Sequence, residues 1–153
     1  NIYLEYKNFD LTMFWQGVQG VDIISDLKKE TDLWSGLNIG FLNKGKRVLD
    51  AWSPANPGSD IPALARNDSN NEKRVSTYYV ENGSFLKLRN LQVGYNVPKA
   101  WAEKIRMERL RFYLSAQNLL TIKSKDFTGV DPENVNYGYP IPLNITFGVN
   151  VSF

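Results

Sequence analysis

Hydrophobic and polar positions alternate along five separate stretches of this chain. The clearest is the last. From Ile141 to Phe153 every odd position is apolar and every even one is small, polar or proline. A period of two is the signature of a β-strand with two different faces. Ile2, Leu4 and Tyr6 alternate in the same way, and so do Phe9, Leu11, Met13 and Trp15. The Lys7-Asn8 pair between those two runs reads as a hairpin turn. In the stretch 77–97, Leu86 and Leu88 share one phase, whereas Leu91, Val93, Tyr95 and Val97 share the other. A β-bulge near Arg89-Asn90 would restore one continuous apolar face. In 109–122, Leu110, Phe112, Leu114, Ala116, Leu120 and Ile122 alternate with polar residues, interrupted at Asn118-Leu119. The pattern therefore predicts strands at about 2–6, 9–17, 77–97, 109–122 and 141–153.

The connections differ in length. Segments 7–8 and 98–108 are short, and the second begins with a helical pattern in which Pro98 precedes Trp101 and Ile105. Segments 18–76 and 123–140 are long. Residues 18–76 have patchy helical spacing (Leu33, Leu37, Phe41) and predict one or two short helices, then an irregular stretch around Pro54, Pro57 and Pro62. Loops of this length carry function or contacts more often than simple connection.

Composition narrows the chemistry. The 153 residues contain no cysteine and no histidine. Disulfides, thiolate metal sites, a cysteine nucleophile and a Ser-His-Asp triad are thereby excluded within this chain. No catalytic residue, metal site or cofactor is expected, and the chain does not read as an enzyme. A net charge of +2 gives no support for nucleic-acid binding. No apolar run is long enough for a transmembrane helix, and the start lacks a signal-peptide pattern. Asn1 opens inside a strand pattern, so the chain is expected to be a piece of a longer one.

Alternation also fits a soluble β-sandwich, for example a carbohydrate-binding module. Three features favour a membrane barrel instead: runs of about ten residues, polar faces rich in Arg, Gln, Asn and Tyr, and short turns alternating with long loops. Five strands cannot close a barrel with a polar lumen, so further strands are expected outside this chain.

The segments "YYVENGSFLKLRNLQVGYNVP", "LRFYLSAQNLLTI", "FTGVDPE" and "YPIPLNITFGVNVSF" resemble, in that order, the C-terminal end of the SusC/RagA family of TonB-dependent outer-membrane transporters. "YKNFDLTMFWQGVQGVDI" and "DAWSPANPGSDIP" resemble segments just upstream. The resemblance implies an all-β fold: the last four to five strands of a 22-stranded antiparallel barrel in a Gram-negative outer membrane. It implies that 18–76 and 123–140 are extracellular and that 7–8 and 98–108 are periplasmic. It also implies a plug domain outside this chain, energy from the TonB-ExbB-ExbD complex and a capping SusD-like surface lipoprotein. The implied substrates are oligosaccharides or peptides.

Candidate residues follow from these placements. Arg89, Arg111, Tyr113 and Gln117 fall on the expected lumen face, as a solvated wall or as contacts to substrate or plug. Trp34, Trp52, Asp60, Arg66, Tyr137 and Tyr139 are candidate partner contacts in the outer loops. Asp126, Asp131 and Glu133 lack the spacing of an EF-hand calcium loop. Phe147, Val149, Val151 and the terminal Phe153 form the expected lipid face of the closing strand. The resemblance makes them a signal for the barrel assembly machinery.

Overall fold

The structure, a computed structural model, describes residues 1–33, 43–65, 67–68, 71–135 and 139–153. The chain divides into two compact units, one of 1–19, 84–123 and 141–153, the other of 20–83 and 124–140.

The first unit is one antiparallel sheet in the order β1-β2-β5-β6-β7. Its strands are β1 (Ile2–Tyr6), β2 (Phe9–Val18), β5 (Phe85–Asn96), β6 (Arg109–Lys123) and β7 (Asn144–Ser152). Tyr6 pairs with Phe9 across the Lys7-Asn8 turn, where Lys7 takes a positive φ of 55°. A four-residue helix α2 (Lys99–Ala102) and a 3-10 turn (Glu103–Ile105) join β5 to β6.

Directly opposed residues in an antiparallel ladder lie on the same face, so the register defines both faces. Leu4 opposes Leu11, Leu11 opposes Val93, Val93 opposes Leu114 and Leu114 opposes Phe147. That row is apolar across all five strands. The register shifts at Arg89, because Phe14 pairs with Asn90 while Trp15 pairs with Leu88. On the other side Leu88 pairs with Leu120 and Asn90 with Gln117, so Arg89 stands opposite Asn118 and Leu119. Asn118 has a φ of 57°. One extra residue flips the pleat, and Leu86 and Leu88 thereby rejoin the face of Leu91, Val93 and Tyr95. The phase change in the sequence is this bulge.

The second unit holds β3 (Asp22–Ile24), α1 (Asp26–Asp32), 3-10 turns at Lys46–Asp50 and Thr77–Tyr79, and β4 (Val80–Asn82). β3 pairs with β4 as a separate two-stranded ladder. The single strand expected over 77–97 is therefore two elements. Tyr79 and Glu81 are buried within the second unit, and Gly83 packs against Ile23. Val80–Asn82 thus pair with β3 after the turn at Thr77–Tyr79, and the long strand starts at Phe85. α1 begins with Ser25, whose hydroxyl accepts the Lys28 amide at 3.2 Å. That cap satisfies one of the free amides of the first turn. Of the helical spacing expected around Leu33, Leu37 and Phe41, only Leu33 is a described residue, and it caps α1 at its C-terminal end. Among the described residues no helix is long and apolar enough to cross a membrane, which says nothing of strands.

Candidate functional site

Many residues on the apolar face of the sheet are exposed. Ile145 keeps 65% and Phe147 67% of its surface, and Leu4, Tyr6, Phe9, Val93, Leu114 and Ile122 are also exposed. A large apolar side chain left in water forgoes roughly 1.5–3 kcal/mol. A patch spanning five strands therefore calls for an apolar surrounding or an apolar partner. Val149, Val151 and Phe153, at the end of the chain, continue this exposed set.

The opposite face is polar and internally bonded. Glu5, Asp10, Gly94, Tyr113 and Gly148 form one row of directly opposed residues across the five strands. Arg111, one pair along, reaches over Gly94 to Asp10, with Nη2 donating to Oδ1 at 2.5 Å and Nε to Oδ2 at 3.0 Å. The Asn96 amide adds a bond to Asp10 at 3.1 Å. A Cβ at position 94 would collide with both charged groups. The Tyr113 ring lies over Gly148, where a Cβ would overlap it, and the Arg111 guanidinium sits 5.6 Å from the centre of that ring.

The four lumen candidates thus occupy distinct positions. Arg111 and Tyr113 are neighbours held in contacts of the wall itself. Arg89, in the bulge, donates to Gln16 Oε1 at 2.9 Å. Gln117 is exposed and opposes both Asn90 and Asn144. Sequence reasoning did not single out Asp10, the partner of Arg111. Its polar-face position in β2 was legible, but not the register that brings it within reach of β6.

The second unit is organised by buried carboxylates. Asp32 is 0% exposed. Arg47 grips it bidentately, with Nε at 2.6 Å from Oδ1, and the Tyr78 hydroxyl donates to Oδ2 at 2.6 Å. Burial first, and then this hydrogen bond to a carboxylate, push the Tyr78 hydroxyl well above its ordinary pKa. Burial likewise raises Tyr79. Lys28 lies 4.1 Å over the Tyr78 ring and donates to the Tyr78 carbonyl. Burial, helped by the charge of Arg47, lowers the Lys28 pKa against the pull of Glu81 and Asp32. Glu81 accepts from the Thr128 amide at 3.1 Å and hydroxyl at 2.7 Å.

The loop candidates are dispersed. Trp52 and Asp60 are exposed, and the Trp52 amide bonds the Ile61 carbonyl at 2.8 Å. Tyr139 is 96% exposed, and its carbonyl accepts from Asn134. Trp34, Arg66 and Tyr137 lie outside the described residues. Asp131 caps its own turn through the Glu133 amide at 2.9 Å. Among the described residues no group of three or more His, Cys, Asp or Glu side chains could hold a metal ion.

A single antiparallel sheet with one exposed apolar face, one bonded polar face and two open edges is an arc of β-barrel wall. No family model matches the chain. It is 36% identical over 166 residues to "TonB-dependent receptor P3" of Formosa agariphila, across 98% of this chain and 15% of the relative. It is 34% identical over 168 residues to "TonB-dependent receptor P26" of the same organism, across 98% of this chain and 16% of the relative. Among solved structures it matches the "RagAB peptide transporter" with a TM-score of 0.73 and 30% identity over 97% of this chain. It also matches the RagAB peptide importer in its "open-open" state, with a TM-score of 0.76 and 29% identity. The chain spans 15% to 16% of the length of these proteins. Over nearly its whole length the chain is thus similar to a segment of proteins named as TonB-dependent receptors.

Proposed function

We propose that this chain is the C-terminal wall segment of a SusC/RagA-type outer-membrane importer. The carrying observation is the five-stranded apolar face, exposed at residues such as Ile145 and Phe147, in a chain homologous to TonB-dependent receptors. In this reading that face meets lipid and the row through Asp10, Gly94 and Tyr113 faces the lumen. The 20–83 and 124–140 unit is extracellular, and Lys7-Asn8 and the α2 turn are periplasmic. A SusD-like lipoprotein caps the barrel, and TonB-ExbB-ExbD energises it through parts outside this chain. The cargo is an oligosaccharide or a peptide. The solved neighbours are named as peptide importers, so peptides are the first cargo to assay.

The test is purification of the tagged full-length protein from outer-membrane fractions. Heat-modifiable gel mobility, detergent dependence and a co-purifying surface lipoprotein are expected. Recovery in a detergent-free soluble fraction would reject the reading and return a soluble binding module to first place.

A further inference from the structure

Strict alternation in β7 leaves its register ambiguous. A one-residue slip would turn its apolar side chains to the polar face, but a two-residue slip would not. In the native register Leu114 opposes Phe147 and Phe112 opposes Val149. After a two-residue slip Leu114 would oppose Ile145 or Val149, and Phe112 would oppose Phe147 or Val151. All are apolar, so the apolar face does not choose among these registers.

The polar face does choose. Along β6 its residues are Arg109, Arg111, Tyr113, Ser115 and Gln117; along β7 they are Asn144, Thr146, Gly148, Asn150 and Ser152. Tyr113 is the single aromatic in the first set and Gly148 the single residue without a Cβ in the second. They are directly opposed, and the tyrosine ring occupies the volume a Cβ would need. A slip of two residues would set Thr146 or Asn150 under that ring. Each carries a Cβ, and the ring would have to leave its seat. Gly94 plays the matching part on the other side of β6. It too opposes Tyr113, and the Arg111–Asp10 bridge lies across it where a Cβ would stand.

The geometry points to a register clasp: Tyr113 seated on Gly148 selects one pairing of the terminal strand among several that its apolar pattern allows. β7 therefore carries two instructions on opposite faces. The exposed apolar residues say which side meets lipid, and Gly148 says where along β6 the strand stops. This inference deepens the barrel reading and gives Tyr113 a role in assembly instead of cargo contact.

Cysteine cross-linking in the full-length transporter tests it, with any cysteines elsewhere in the protein replaced. Ser115→Cys with Thr146→Cys reports the native register, because those residues are directly opposed. Ser115→Cys with Asn144→Cys reports a two-residue slip. Gly148→Thr should lower the ratio of native to slipped cross-link at least about fivefold, since a Cβ then meets the ring in every register and the native one loses its advantage. Tyr113→Ala alone should lower the same ratio, and adding Gly148→Thr to it should lower it no further, because without the ring the residue at 148 no longer selects. A Gly148→Thr protein that cross-links like its parent would overturn the clasp. So would a further drop on adding Gly148→Thr to Tyr113→Ala, because Gly148 would then serve some purpose other than receiving the ring. Fractionation of the same cells reads membrane location separately, so failure of the membrane reading and failure of the clasp are distinguishable.

Discussion

Asp32 has no exposed surface, and Arg47, Tyr78 and Thr31 all bond to its carboxylate. Asp32→Ala strands the guanidinium and the phenol together. The expected cost is about 3 kcal/mol, the low end for a broken buried pair, because Arg47 retains some solvent contact. Faster hydrogen exchange in 25–32 and 77–81 would report it. Arg47→Lys should cost less but still be visible, since an ammonium keeps the charge and loses the two-pronged grip. Tyr78 supplies a pH dependence. Its folded pKa lies above the ordinary value of 10.0. As pH rises past 10 the unfolded side chain ionises first, so the folded state holds the extra proton. The stabilisation is fully present below pH 10 and is lost as pH climbs towards the folded value. Tyr78→Phe should flatten the loss of stability of this unit as pH rises above about 10, read as protection factors with the intrinsic pH dependence of exchange removed.

Two elements govern whether the sheet keeps one apolar face. The first is the bulge. Asn118 sits at a φ of 57° opposite Arg89, a conformation asparagine tolerates better than most residues and β-branched residues tolerate badly. Asn118→Gly should be neutral. Asn118→Val should cost roughly 1–3 kcal/mol, read as a lower temperature for loss of the compact band in heat-modifiability gels. The second is β7. Phe153→Ala should lower outer-membrane abundance of the full-length protein, measured by quantitative immunoblot; unchanged abundance would remove Phe153 from the assembly signal. The bulge was legible because Leu86 and Leu88 run out of phase with Leu91 and Val93. The β4–β5 break was not, since Tyr78, Tyr79 and Val80 have the composition of a strand. Only burial of Tyr79 and Glu81 within the other unit separates them from β5. Arg111 and Tyr113 could be placed on the polar face from alternation alone. That Asp10 and Gly148 are their partners could not be read, because pairing depends on register and register is not written in period two.

At the scale of the molecule, the two faces of the sheet should answer oppositely to the same substitution. Phe147→Arg places a cation on the exposed apolar face and should cost about 2–4 kcal/mol if that face lies near mid-bilayer. Ser115→Arg places the same cation among polar neighbours and should be tolerated. Comparing the two variants for membrane abundance and detergent-extracted stability tests the assignment of faces without reference to cargo.

The bond between Glu81 and Thr128 has an evolutionary consequence. Residue 81 follows the first long excursion of the chain and residue 128 lies in the second, yet they are joined within one unit. The two excursions should therefore be exchangeable only as a matched pair. A chimaera that takes 20–83 from a relative without 124–140 would break the match, while one that takes both would keep it. Diversification of this unit would then proceed by exchanging both segments together.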